Sequence, residues 1–269
     1  IIGSNGIETV TAGQGNDVLL LGDGNDIAIW NPGDGSDIVE GQGGTDVLVF
    51  HGANIAEKIA ISANGSRVLM TRDVANIVMD LNDIERIEYD ALGGADTVSV
   101  NALAGTGVTQ IVLRLSSTLG GASGDGAVDA VRLIGGSADA TISADFAGGA
   151  VTATHGTTAI TVRTLEPTLD TLSLEGGGGA DTLFADFADS FNGFWELSML
   201  KDCFGCLQQG SGFCLMPEGQ FQGMLEFLFG LFSCRNILEG GHGIPSPGLM
   251  DRTDVPTKPH GPDFPAKLQ

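Results

Sequence analysis

Between residues 12 and 50, short apolar pairs alternate with glycine turns that end in an acid. The pairs Val18-Leu19, Ile27-Ala28, Ile38-Val39 and Val47-Leu48 each suit one very short strand. They follow Asp17, Asp26, Asp37 and Asp46, which recur at intervals of 9, 11 and 9 residues. Glycines precede the acids, Gly13 and Gly15, Gly22 and Gly24, Gly33 and Gly35, then Gly44. Such positions suit turns that need positive φ and close backbone approach. A beat of this kind predicts a solenoid, in which the turns stack and the carboxylates stack with them.

The pattern changes after Phe50. KIAIS and RVLMT flank Asn64-Gly65, which predicts a hairpin, and NIVMDL and IERIEY read as further strands. The basic residues Lys58, Arg67, Arg72 and Arg86 in this stretch are expected on an ordinary sheet surface. From residue 91 a longer repeat takes over. LGGADTVSV, IGGSADATIS and GGGGADTLF place Asp96, Asp139 and Asp181 at 43 and 42 residues apart, with strands such as VTQIVLRL, DAVRLI, AVTAT, AITVRT and DTLSL between them. Without partners at the nonapeptide spacing, these three acids are expected to cap turns. The predicted fold class is all-β: a solenoid of stacked turns over 1–50, a strand meander over 51–90, a β-solenoid or sheet region over 91–190, and an atypical tail over 191–269. The tail is expected to be irregular, with one short helix at Gly223–Phe232 and proline-rich, disordered ends.

Charge gives the first stretch its chemistry. Residues 1–50 hold eight acids (Glu8, Asp17, Asp23, Asp26, Asp34, Asp37, Glu40, Asp46) and no Lys or Arg. Stacked coils lie ~4.8 Å apart, and like charges at that distance repel by about 1 kcal/mol in water and several times more at a half-buried turn. A cation is wanted there. Oxygen-only donors without nearby His or Cys favour a hard ion, and flexible glycine turns suit the irregular shell of calcium better than the strict octahedron of magnesium.

The turns resemble the nonapeptide G-G-x-G-x-D-x-U-x of RTX, or haemolysin-type, repeats. That resemblance implies a parallel β-roll in which repeats two apart share a calcium ion. Asp17 then pairs with Asp37 and Asp26 with Asp46, with the turn glycines Gly13, Gly15, Gly22, Gly24, Gly33, Gly35 and Gly44 completing the sites. Glu8 faces Asp26 as a degraded first repeat. The sequence departs from the motif at Ala12, Leu21, Pro32 and Gln42, and two extra residues lengthen the third unit.

The whole chain of 269 residues carries a formal charge of −22, of which −19 lies before residue 191 and −3 after it. This acidity excludes nucleic acid and anionic membranes as partners. At 42% hydrophobic, the chain is nonetheless too apolar to be simply disordered. The apolar run GMLEFLFGLF is too short for a membrane span. All four cysteines, Cys203, Cys206, Cys214 and Cys234, lie in the tail without the paired spacing of a zinc ribbon. The tail also lacks the repeats and the C-terminal export signal that the family would lead one to expect, which suggests a shifted frame or an unrelated join. Ile1 in place of an initiator Met suggests a fragment. There is no H-E-x-x-H, G-x-S-x-G or P-loop, and the histidines His51, His155, His242 and His260 are scattered. The expected function is therefore that of a secreted, non-enzymatic calcium-binding protein related to surface, adhesin or toxin proteins, with secretion machinery or a cell surface as partner. The alternative is an accessory domain of a larger secreted protease or lipase.

Overall fold

The alternation read from the sequence becomes a stack of short strands shared between two sheets. The structure is a computed structural model that describes residues 1–186 other than Gly148, together with the backbones of strands at 194–198, 206–209 and 212–215. The described residues all lie within one compact unit, Ile1–Arg235.

The first six strands come in pairs: β1 (Ile2–Ser4) with β2 (Thr9–Thr11), β3 (Val18–Gly24) with β4 (Ile27–Trp30), and β5 (Ile38–Gly44) with β6 (Val47–His51). Odd-numbered strands build one sheet and even-numbered strands the other, all in parallel register. Val18 stands beside Ile38 and Ile27 beside Val47, so each turn of the coil consumes 20 residues here. Alternate side chains point inward, with Leu19, Leu21, Ala28, Trp30, Val39, Leu48 and Phe50 buried, as the period-two side-chain rule of a strand requires.

The coil is then interrupted. β7 (Lys58–Asn64), β8 (Arg67–Arg72) and β9 (Ile77–Asn82) form an antiparallel meander, with Gly65 left-handed at φ 69° in the predicted hairpin turn. The meander is inserted into the first sheet back to front: β9 pairs with β5, while β7 is left as the far edge. β10 (Arg86–Asp90) resumes the second sheet on β6. β11 (Thr97–Asn101) is laid on β7, β12 (Gln110–Arg114) on β10 and β13 (Ala130–Ile134) on β11.

The second sheet repeats the device. β14 (Thr141–Ala147), β15 (Ala150–His155) and β16 (Thr158–Arg163) form a meander whose last strand pairs with β12 and whose first strand is left open. β17 (Thr171–Glu175) continues on β13 and β18 (Thr182–Asp186) on β14. Parallel pairing goes on in β19 (Phe194–Ser198) and β20 (Cys206–Gln209), and β21 (Gly212–Leu215) turns back on β20. These last strands fall in the segment whose sequence predicted no regular element. The expected helix at Gly223–Phe232, the proline-rich ends and the cysteine side chains lie outside the described residues. Among the described residues the fold is all-β, with a single 3-10 turn at Val74–Asn76. No helix among them is long and apolar enough to cross a membrane.

One hydrophobic cluster runs between the sheets from Leu19 to Ala185. Trp30, Phe50 and Tyr89 stand side by side on β4, β6 and β10, the first two with rings 4.0 Å apart and parallel. Arg72 departs from the surface role expected of it. It is 5% exposed, ion-paired to the buried Glu57 carboxylate, and its guanidinium lies 5.4 Å from the Trp30 ring centroid. Tyr89 donates its hydroxyl to the other oxygen of Glu57 at 3.1 Å. A buried charge needs such a partner, and Arg72, at the end of the middle strand of the meander, supplies it.

Candidate metal site in the stacked turns

Each acid of the nonapeptide stretch sits one residue before a strand, where Asp17 and Asp26 show how it serves the coil stack twice. Its carbonyl receives the first strand N–H of the next coil, from Ile38 to Asp17 at 2.9 Å and from Val47 to Asp26 at 2.8 Å. Its own N–H is donated to the carboxylate of the next acid, from Asp17 to Asp37 Oδ1 at 2.9 Å, from Asp26 to Asp46 Oδ1 at 2.8 Å and from Glu8 to Asp26 Oδ1 at 2.7 Å. Asp17 and Asp37 thus adjoin in the row that feeds the first sheet, and Glu8, Asp26 and Asp46 in the row that feeds the second. One residue earlier, Asn16 and Asn25 bridge the coils in the opposite direction, their side-chain oxygens accepting the N–H groups of Ser36 and Thr45 in the next coil at 2.9 and 2.8 Å.

The glycines shape the turns in two ways. The backbone is left-handed four and two residues before the acid at Gly13 and Gly15, at Gly22 and Gly24, and at Gln42 and Gly44. Gly33 is left-handed as well, whereas Gly35 is not. Gly35 is needed for space instead: a Cβ there would lie 1.4 Å from the carbonyl oxygen of Gly15 in the coil before.

This stacking uses one oxygen each of Asp26, Asp37 and Asp46. Asp26 Oδ2 and Asp46 Oδ2 are buried with no hydrogen-bond partner. Burial, opposed by the N–H of Asp26 and reinforced by the charges of Asp26, Glu85 and Asp83, pushes the Asp46 carboxyl up to about 6. Burial likewise raises Asp37. Unpaired carboxylate oxygens beside turn carbonyls, without a basic side chain in residues 1–50, fit a hard, oxygen-seeking cation. No three His, Cys, Asp or Glu side chains converge among the described residues, so main-chain carbonyls would have to supply most of the shell.

The structure adds acids that the nonapeptide spacing did not group. Glu85 extends the second-sheet row by accepting the Asp46 N–H at 2.7 Å. Beyond the first meander, a new row feeds the first sheet. Glu57 donates its N–H to Asp96 at 2.7 Å, Asp96 to Asp129 at 2.8 Å and Asp129 to Asp170 at 2.9 Å. Burial is the main cause that pushes Asp96 up to about 8 and Asp129 up to about 7. Asp139 and Asp181 adjoin in the second-sheet row, where Ala180 donates to Asp139 at 2.8 Å and Ala140 to Asp181 at 2.9 Å. One local signal runs through both sets: the acid stands immediately before an alternating apolar strand, as in D-A-V-R-L and D-T-L-S-L.

The profile of the RTX calcium-binding nonapeptide repeat matches four copies, over residues 2–28, 33–52 and 173–190. These are RTX calcium-binding repeats. The RTX turns of the first two stretches contain Asp17, Asp26, Asp37 and Asp46, and the third contains Asp181. Asp96, Asp129 and Asp170 lie outside all three. No curated protein matches the chain in sequence. Among solved structures, the chain is similar to the crystal structure of an extracellular lipase from Serratia marcescens, at 15% identity and a TM-score of 0.26. That match covers 61% of this chain and 37% of the lipase, little more than a third of its length.

Proposed function

We propose that the chain is an exported, non-enzymatic calcium-binding protein whose RTX roll folds when it meets extracellular calcium. In this reading the ions sit between stacked turns, held by Asp17 with Asp37 and by Asp26 with Asp46. Carbonyls of the turns that contain Gly13, Gly15, Gly22, Gly24, Gly33, Gly35 and Gly44 complete the shell. Residues 1–50 are the calcium-folded part, and 51–90 and 91–190 extend it as further layers. The observation that supports this most is the pair of buried, partnerless oxygens at Asp26 and Asp46 inside matched RTX repeats.

The mechanism is linkage. An ion that binds the folded roll and not the open chain stabilises it by about 2.7 kcal/mol per site when calcium exceeds Kd a hundredfold. A Kd of ~0.1 to 1 mM, usual for extracellular modules, leaves the chain loose in the cell for the secretion machinery and folds it outside. Calcium titration of the full chain, followed by far-UV circular dichroism and calorimetry with magnesium as control, tests the reading. A cooperative gain of β signal with calcium alone supports it. A chain already folded in chelator and indifferent to calcium overturns it. The sequence encoded upstream of Ile1 tests the non-enzymatic part, since a protease or lipase motif there would make the roll an accessory module.

A further inference from the structure

The turn before β11 has the conformation of an RTX turn although no repeat is matched there. Four and two residues before Asp96, the backbone is left-handed at Leu92 (φ 71°) and Gly94 (φ 124°). The same two offsets are left-handed before Asp46, at Gln42 (φ 71°) and Gly44 (φ 137°). Leucine rarely adopts this conformation, so it is the stack that imposes it on Leu92. The turn is packed between two others. Asp96 Oδ1 accepts the Glu57 N–H of the coil below, Asp96 donates its own N–H to Asp129 above, and the Gly94 N–H is taken by Asp125 Oδ2 at 2.8 Å.

The second oxygen decides the matter. Asp96 is 1% exposed, and its Oδ2 is buried without a hydrogen-bond partner. Among the described residues, the carboxylate oxygens in that condition are Asp26 Oδ2, Asp46 Oδ2 and Asp96 Oδ2. Two belong to matched calcium-binding repeats and the third to the turn that copies their backbone. In place of the local turn cap expected of it, Asp96 takes an N–H from the adjoining coil, and that bond occupies only Oδ1. Leaving a buried carboxylate oxygen bare costs more than a hydrogen bond returns, and among the described residues the cation paired with an adjoining acid, Arg72, is bonded to Glu57 Oε1.

We infer that Asp96 Oδ2 is a ligand to a further calcium ion, outside the matched repeats, with carbonyls of its stacked turns as the remaining donors. The inference rests on the calcium reading of the repeats. Such an ion would tie the first coil beyond the meander to its neighbours, so calcium would consolidate both ends of the insertion.

Equilibrium dialysis with radioactive calcium on the full chain counts the ions. Asp96→Asn keeps the Oδ1 acceptor for Glu57 and removes the charge. It is expected to bind one ion fewer than the wild type, and the Asp26→Asn/Asp46→Asn double variant is expected to keep an ion that the added Asp96→Asn removes. Equal counts in the wild type and Asp96→Asn overturn the inference while leaving the RTX sites intact. A wild type that binds no calcium overturns the underlying reading as well. Should Asp96→Asn fail to fold, wild-type crystals grown with terbium decide by anomalous scattering. A peak beside Asp96 Oδ2 supports the site, and peaks in the RTX turns with none at Asp96 sink it.

Discussion

A methyl group on Gly44 would stand 1.4 Å from the carbonyl oxygen of Gly24, and the residue is held at φ 137°. Both facts follow from stacking one turn directly on another, so neither can relax unless the coils separate. Gly65 is left-handed too, at φ 69°, but nothing lies within 4 Å of where its Cβ would be. Gly65→Ala should therefore cost only the conformational penalty, about 1 to 2 kcal/mol. Gly44→Ala adds a backbone clash and is expected to cost roughly 3 kcal/mol or more. Denaturant unfolding in saturating calcium compares the two, and equal losses would mean that the turns are not packed as tightly as described. The glycines were legible in the sequence because their spacing is regular. The reason for each was not, since Gly35 and Gly44 differ in φ while sharing the same close approach.

At the scale of elements, the strands could be read and their order could not. Alternation located the hairpin at Asn64-Gly65 and the strands on either side, but nothing in it says that β7 is laid down three places ahead and the chain then works back to β5. The pin that holds this excursion was misleading in sequence. Arg72 resembles any strand-end arginine, yet it enters the core to meet Glu57, which in turn holds Tyr89 and the Ala53 N–H. Removing the cation alone would leave a buried charge, so Arg72→Met is expected to cost about 3 to 5 kcal/mol. Arg72→Met with Glu57→Gln should recover part of that loss. Thermal unfolding of both variants measures it, and a double variant no better than the single would show that packing over Trp30, not charge pairing, is what Arg72 contributes. The row Glu57, Asp96, Asp129 and Asp170 was hidden in sequence for a related reason, and the repeat spacing grouped Asp96 with Asp139 and Asp181 instead. Its members are 39, 33 and 41 residues apart because excursions of unequal length separate coils that adjoin in space.

The whole molecule concentrates negative charge where water is scarce. Asp37, Asp46, Asp96, Asp129 and Asp170 all have carboxyl groups raised above the ordinary aspartate value, with burial as the first cause. A carboxyl group whose folded value is raised binds more protons in the folded state than in the unfolded one. Its stability is whole below about pH 4 and is lost as pH rises through the folded value, here between about 4 and 8. Among the opposing carboxyls, Glu8 is lowered by Ser4 hydrogen bonds, and at Glu88 burial is outweighed by the Arg114 and Arg86 partners. Their contribution is already complete near pH 5; the buried His155, lowered by desolvation, gains stability up to about pH 6.5 but is one group set against five raised carboxyls. In chelator, the melting temperature is therefore expected to decline from pH 5 to pH 8, with a total loss on the order of a few kcal/mol. Asp129→Asn preserves the acceptor for the Asp96 N–H and should flatten the decline. With saturating calcium the profile should level or reverse, because ions at the turns favour the deprotonated carboxylates that the bare fold resists. Differential scanning calorimetry across this range, with and without calcium, measures both arms. A chelated protein that becomes more stable toward pH 8 would show that the stacked carboxylates find enough compensation within the chain, and calcium would then have no electrostatic strain to relieve.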